Sequence, residues 1–417
     1  MSMLAIILFF AIAAGQWHQD LAYFARELPK RHLNAFHAVS REAFDAAVKQ
    51  LESRIGTATD EEMAVGLIRL TAMVGDGHTR VNIPKEWHRL AIQIQPFGDE
   101  WRITRVTAST KPILGAKVAA IGGVPIAEVV KRLSPLSAQD ELPPWQRVMV
   151  ASHMNTAEVL RGVGINPSEI TAVADDGTSS TLPLSTMLIS EQTRQPWITL
   201  GAAPTLSLRE PESAFVIQHL PANKTVYANW RRYENLADYS AKLWQLVDST
   251  DTKRVIIDLR QNGGGDFKVG RRYMVSELAR RAGKVEGIVL IGARTFSAAM
   301  VNAIDFRKDA HALLVGNTIG EKPNSYSEND EMTLPASKLS ISYSTRLYKF
   351  VPDDAPNVVE PDQRIEQTWA DAKAGRDAAL EWVLTKNWTP HHSRHAWREP
   401  FSPLAGRTVP KADEEWN

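Results

Sequence analysis

The run Val255-Ile256-Ile257-Asp258-Leu259, leading into Arg260-Gln261-Asn262-Gly263-Gly264-Gly265, constrains the fold most. A short apolar run rich in β-branched residues reads as a buried strand. Around it the pattern alternates. Ala214–Gln218, Thr225–Asn229, Gly287–Ile291 and Ala312–Val315 read as strands, and Tyr239–Val247, Ser276–Ala282 and Ala298–Phe306 as helices. Strands alternating with helices predict an α/β layered core. The three glycines allow backbone N–H groups to approach a ligand without Cβ obstruction. Such amides suit an oxyanion. A phosphate cradle is the rival, but the chain has no Gly-x-x-x-x-Gly-Lys-Ser/Thr pattern. A plain strand–helix turn also accounts for the glycines taken alone.

Upstream, residues 16–74 carry helical periodicity. Leu21, Phe24, Ala25 and Leu28 share one face, Phe44, Val48 and Leu51 another, and Thr59 before Glu61-Glu62 marks a helix start. The last helix runs into Gly75-Asp76-Gly77-His78-Thr79, where two glycines break it and expose a histidine. Residues 86–190 change to short alternating segments, among them Ala91–Pro96, Trp101–Val106 and Lys117–Ile121. The stretch Leu114–Ile126, leading into a helix at Ala127–Leu133, resembles the second half of a PDZ module, which holds peptide ends by strand addition. An ordinary β-rich insert fits the same residues.

The 417 residues carry 48 Lys and Arg against 48 Asp and Glu. No broad basic field exists to draw in nucleic acid. With no cysteine, disulfides, thiolate metal sites and a cysteine nucleophile are excluded. Leu4–Ala14 is an apolar run too short to span a bilayer comfortably, followed by small residues that resemble a signal-peptidase site. Residues 1–15 are therefore expected to be a signal peptide, with an uncleaved anchor or a buried first helix as alternatives. Export to a periplasmic or extracellular space follows, with no stable membrane insertion once the leader is removed. Residues 391–417 form a polar, Pro-rich tail.

Two side chains are of types that can do chemistry, though each alone also has an ordinary structural reading. Ser297 lies at the mouth of a helix, beside free N–H groups and the positive end of the helix dipole, which favour developing negative charge. Serine is also a favoured helix cap. His78 offers a neutral imidazole, the commonest general base near neutral pH. His391, His392 and His395 lie in the tail, without a rigid frame for a metal, and no His-Glu-x-x-His pattern occurs.

Taken in order, Gly75–Thr79, Val255–Gly265 and Thr295–Ala299 resemble the hallmarks of the C-terminal-processing (tail-specific) serine peptidases. The closer likeness is to the tricorn-core and interphotoreceptor-retinoid-binding-protein-like branch. It continues through Val315-Gly316-Asn317, Lys322–Glu328, Leu334-Pro335, Ser342–Arg346, Pro361-Asp362 and Gly375–Asp377. The resemblance implies a layered ββα-type (ClpP/crotonase-like) catalytic core over 191–390. Before it come a helical unit carrying the His motif over 16–85 and a β-rich, PDZ-like region over 86–190. It also implies Ser297 as acyl-forming nucleophile, His78 as base, and the amides of Gly264 and Ala298 as oxyanion hole. Glu328 stands where this branch carries an acid that would orient His78. Lys322 is the alternative base, as in the Ser–Lys branch. Asn317 replaces a usual Glu, and Glu321 stands where Gly is usual. The implied substrate is a peptide or unfolded protein segment, with neither metal nor organic cofactor. A binding protein on the same scaffold is the competing expectation.

Overall fold

The computed structural model describes residues 13–201 and 205–386. Most of the expected leader and all of the tail 391–417 lie outside the described residues. Ala14 and Gly15, from the end of the leader, open the first helix, Ala14–Arg31. Among the described residues, no helix is long and apolar enough to cross a membrane.

Three helices, Ala14–Arg31, Arg41–Glu52 and Asp60–Val74, open the described chain. The third begins with a capping box. Thr59 accepts the N–H of Glu62, whose carboxylate accepts the N–H of Thr59. It stops at Gly75, whose φ of 111° suits glycine.

A six-stranded sheet carries the core. Phe215–Leu220 pairs antiparallel with Thr225–Trp230, and Arg254–Asp258, Glu286–Ile291, Leu313–Gly316 and Gln363–Arg364 follow in parallel. Each strand is a neighbour of its predecessor, so the crossover helices collect on one face, since such crossovers share one hand. On that face Val255, Ile257, Val289 and Ile291 pack against Leu243, Trp244, Met274, Met300 and Phe306. Alternate residues Ile256, Ile288 and Leu290 face the other way, against Leu380 and Val383 of the helix Ala378–Thr385. The helix expected at Ser276 instead starts at Phe267, because Asp266 ends the glycine run and caps it, accepting from the N–H of Lys268.

The middle of the chain holds an antiparallel sheet built on Ile92–Phe97, Glu100–Val106, Lys117–Ile121, Glu169–Val173 and Ser179–Pro183. The helix Ile126–Leu133 follows where the pattern puts one. Two further helices, Pro143–Met154 and Ala157–Gly162, also lie in this stretch. One apolar cluster runs through the N-terminal helices, the middle sheet and Met332, Leu334, Leu339 and Ile341. These last residues belong to the long hairpin Asn324–Thr333/Ser340–Lys349, which leaves the core and pairs with Arg80–Val81. That pairing ties the residues just after His78 to the core.

Candidate active site

Ser297 joins the end of a core strand to the helix Ala298–Asp309. Its backbone has φ 53° and ψ −127°, a region a non-glycine residue enters only under constraint. Three hydrogen bonds supply the constraint. Thr295 Oγ1 donates to the Leu259 carbonyl at 2.9 Å, Gly292 N–H donates to Thr295 Oγ1 at 3.1 Å, and Phe296 N–H donates to the Asn262 carbonyl at 3.0 Å. The serine loop is thus stapled to the glycine loop. Gly264, at φ 105°, packs directly on Ser297: a Cβ there would stand 2.6 Å from Ser297 Cβ and 3.1 Å from the Ala298 nitrogen. Ala298 is the first residue of its helix, so its N–H has no intrahelical acceptor. The Gly264 N–H is engaged by Asn262 Oδ1 at 2.9 Å.

The glycine loop is itself anchored. Arg260 binds Asp258 at 2.6 Å and Asp377 at 2.7 Å, and Asp377 caps the last described helix, Ala378–Thr385. Asn262 Nδ2 donates to the Trp230 carbonyl at 3.0 Å.

His78 arrives from outside the core. Asp76 folds its turn, accepting from the N–H groups of His78 and Thr79 at 3.2 and 2.8 Å, and from Ser344 Oγ at 2.7 Å. Its other oxygen meets His32 Nε2 at 2.9 Å. Burial pushes the Asp76 carboxyl upward, but the His32 hydrogen bond and charge, the Ser344 hydrogen bond and the His78 charge hold it below the usual range. The His78 ring lies 4.8 Å from the Phe296 ring, which stacks at 4.0 Å on Trp145. His78 is therefore one side chain away from Ser297, although no hydrogen bond joins the two. Nε2 lies 3.2 Å from Ser327 Oγ, and Nδ1 is buried without a partner. Burial is the main cause that drops the His78 pKa to about 4; Asp76 opposes it and Arg80 reinforces it. The ring is neutral at pH 7.

The carboxyl group at the centre is Glu321. One oxygen accepts the Ser297 N–H, and the other stands 3.6 Å from His78 Nδ1. Burial, with the nearby charges of Glu141 and Asp76, raises its pKa well above the ordinary range. Glu141 lies just before the helix Pro143–Met154 and accepts the N–H groups of Gly77 at 3.0 Å and Lys322 at 3.1 Å. Burial lifts it to about 7. It clamps the His turn to the loop that holds Glu321.

The structure brings Ser297, His78, Gly264 and Ala298 to one corner. It does not bring Glu328 there. Glu328 is exposed on the hairpin, accepting from Tyr348 and lying 3.7 Å from Arg346. Its backbone, at φ 56°, departs from the extended run of the strand. Lys322 also turns away, its Nζ held by Asp140 at 2.7 Å. Glu321 and Glu141 were not among the expected site residues. The sequence signal for Glu321 was its place at a position read as glycine; Glu141 gave none. For a metal, His32, His37 and Asp76 offer ligand atoms within 4.8 Å of one another. His32 Nε2 already engages Asp76, and its Nδ1 accepts the Asn34 N–H. That group is satisfied without an ion.

No protein-family model matches the chain, and no curated protein does. Solved structures do. Mature CPAF complexed with lactacystin superposes with a TM-score of 0.60 at 12% identity, covering 89% of this chain and 97% of that chain. Mature CPAF without it gives 0.60 at 12% identity, with 89% and 96% covered. The photosystem II D1 C-terminal processing protease gives 0.42 at 12% identity, with 87% and 98% covered. The fold of this chain is that of mature CPAF.

Proposed function

We propose that the chain is a serine-type peptidase that hydrolyses peptides or unfolded protein segments through an acyl-enzyme on Ser297. The observation that carries this is the left-handed Ser297 backbone at a strand-to-helix turn, pressed against Gly264 and one side chain from a neutral imidazole. Strain of that kind in a non-glycine persists where surrounding contacts over-determine it, and it presents a hydroxyl above the end of a sheet.

In the proposed reaction His78 Nε2 takes the Ser297 proton as the hydroxyl attacks the peptide carbonyl, and returns it to the leaving amine. Nε2 must first be released by Ser327, a rotation of one hydroxyl. Nδ1 then carries the ring hydrogen and faces Glu321, the carboxyl group best placed to orient the ring and balance the imidazolium. The Ala298 N–H, with the glycine loop, receives the oxyanion. The six-stranded sheet serves as a ββα-type core and 86–190 as a PDZ-like, peptide-holding region of an exported protein.

A non-catalytic peptide or hydrophobic-ligand binder on the same scaffold is favoured by two contacts. Ser327 occupies Nε2, and Asn262 occupies the Gly264 N–H. A serine-directed phosphonate separates the two. Covalent labelling of Ser297 that is lost in His78→Ala and slowed in Glu321→Gln supports the peptidase. Absence of labelling, with no cleavage of unstructured peptides, sinks it.

A further inference from the structure

Three segments carry the proposed chemistry: the turn with His78, the loop with Ser297 and the loop with Glu321. A fourth, residues 139–145, touches all of them. It comes from the middle of the chain and leads into the helix Pro143–Met154. Asp140 N–H donates to the Gly75 carbonyl at 3.1 Å, and Trp145 stacks on Phe296 at 4.0 Å. A Cβ on Gly320 would stand 2.9 Å from Trp145 Cβ. The segment holds its own bend, because Gln146 Nε2 donates to the carbonyls of Ala138, Gln139 and Glu141 at 3.3, 3.4 and 3.1 Å.

Glu141 is 5% exposed and lies where these segments converge. Its Oε1 accepts the Gly77 N–H at 3.0 Å, and its Oε2 accepts the Lys322 N–H at 3.1 Å. Gly77 precedes His78, and Lys322 follows Glu321. The two donors therefore flank a single contact, His78 Nδ1 to Glu321 Oε1 at 3.6 Å. Carboxylate, backbone and contact close a ring. Nδ1 is buried with no hydrogen-bond partner, and closing the contact by about half an ångström would give it one. Small shifts of either donor thus decide whether the imidazole is oriented. Only a carboxylate offers a separate oxygen to each N–H; an amide has one, and Asp is a methylene shorter.

We propose that Glu141 is a positioning residue: by bridging the Gly77 and Lys322 amides it holds His78 within reach of Glu321, and so governs how fast Ser297 is acylated. The proposal rests on the peptidase reading for the acylation, but the bridge does not. The bridge is complete only when Glu141 is ionised, since a protonated carboxyl turns its hydrogen toward one of the two donors. The charged and titratable groups of the elements packed on it are Asp76 and His78 of the turn, Glu321 and Lys322 of the loop, and Asp140 beside it, whose Oδ1 holds Lys322 Nζ at 2.7 Å. Burial and the Asp76 charge raise the Glu141 pKa to about 7, against the two N–H bonds and Lys322.

The test measures, on the full chain, the rate constant for labelling of Ser297 by a serine-directed phosphonate. Loss of folded protein lowers the amplitude of labelling, whereas a displaced imidazole lowers the rate constant. Glu141→Gln should lower the saturated rate by roughly 10- to 100-fold, with half-saturation moved by less than about twofold. Glu141→Asp, which keeps the charge but is too short to bridge, should fall as well. Asp140→Ala removes only the neighbouring surface ion pair and should stay within about twofold. The parent rate should rise with pH through about 7, a step absent from Glu141→Gln, while the His78 step at about 4 remains in both. A second readout needs no chemistry: the ring-nitrogen NMR signal of His78, identified by its loss in His78→Ala, should move in Glu141→Gln and not in Asp140→Ala. An unchanged rate constant in Glu141→Gln, a parent rate in Glu141→Asp, or an unmoved His78 signal overturns the proposal. If the signal moves but the parent neither labels nor cleaves peptides, the positioning stands and the peptidase reading falls. Equal labelling of parent and Glu141→Gln gives the reverse.

Discussion

The loop carrying Ser297 and the turn carrying His78 meet at one corner but are built by different means. Ser297 ends a loop between neighbouring strands of one sheet, and the bonds of Thr295 and Phe296 in that loop run to Leu259 and Asn262 at the end of the adjacent strand. His78 depends on partners scattered through the chain: Ser344 and Ser327 of the hairpin, His32 of the first helical segment, and Phe296 of the serine loop. The Ser297 loop is positioned by local connectivity and the His78 turn by convergence. The first should survive damage that displaces the second.

The sharpest way to break that contrast is to remove His78, the proposed base. His78→Ala should lower kcat by roughly 10⁴- to 10⁶-fold while leaving the melting temperature near that of the parent, measured by peptide turnover and thermal melting. A large loss of stability would mean that the imidazole serves the fold. Next comes the convergence itself. Asp76→Ala strips a buried network of its acceptor and should cost about 3–5 kcal/mol. Hydrogen exchange should loosen Gly75–Val81 and the hairpin while the six-stranded sheet stays protected. Uniform loss of protection would show that base and nucleophile regions unfold as one.

Glu141 sharpens the comparison through pH. Its folded pKa of about 7 lies above the ordinary glutamate value of 4.5. The folded chain therefore keeps a proton that the unfolded chain releases, and the associated stability is complete below about 4.5 and lost as pH rises through about 7. His78 works in the opposite sense: its stability is present above 6.5 and lost as pH falls through about 4. Glu141→Gln should flatten the fall in melting temperature between pH 4.5 and 7, by a few °C in order of magnitude. An unchanged slope would deny Glu141 a buried carboxyl. The smallest effect is expected at Glu328. Glu328→Gln should change turnover by less than about twofold and stability by within about 0.5 kcal/mol. A larger loss of turnover would restore Glu328 to the site.

The same contrast explains what the sequence made legible. The buried strand Val255–Leu259, the glycine run and the helix start after Ser297 are local patterns, and the core follows them. The turn at His78 was also local. Its carboxyl neighbours were not, because no periodicity links Glu141 or Glu321 to position 78. Glu321 stood out only as a departure at a glycine position, and its meaning appears when Gly320 is seen to lie flat against Trp145, where a Cβ would meet it at 2.9 Å. Glu328 was expected at the site from its motif, but its backbone conformation, invisible in sequence, leaves it in solvent.

Arg260 has a consequence for the order of events during synthesis. One of its two carboxylate partners, Asp377, begins the last described helix. A nascent chain can pair its strands and close the turn at Ser297 while that guanidinium is still half neutralised. The glycine loop gains this fastening only after the helix Ala378–Thr385 has left the ribosome, so the corner that holds Ser297 becomes rigid late in synthesis.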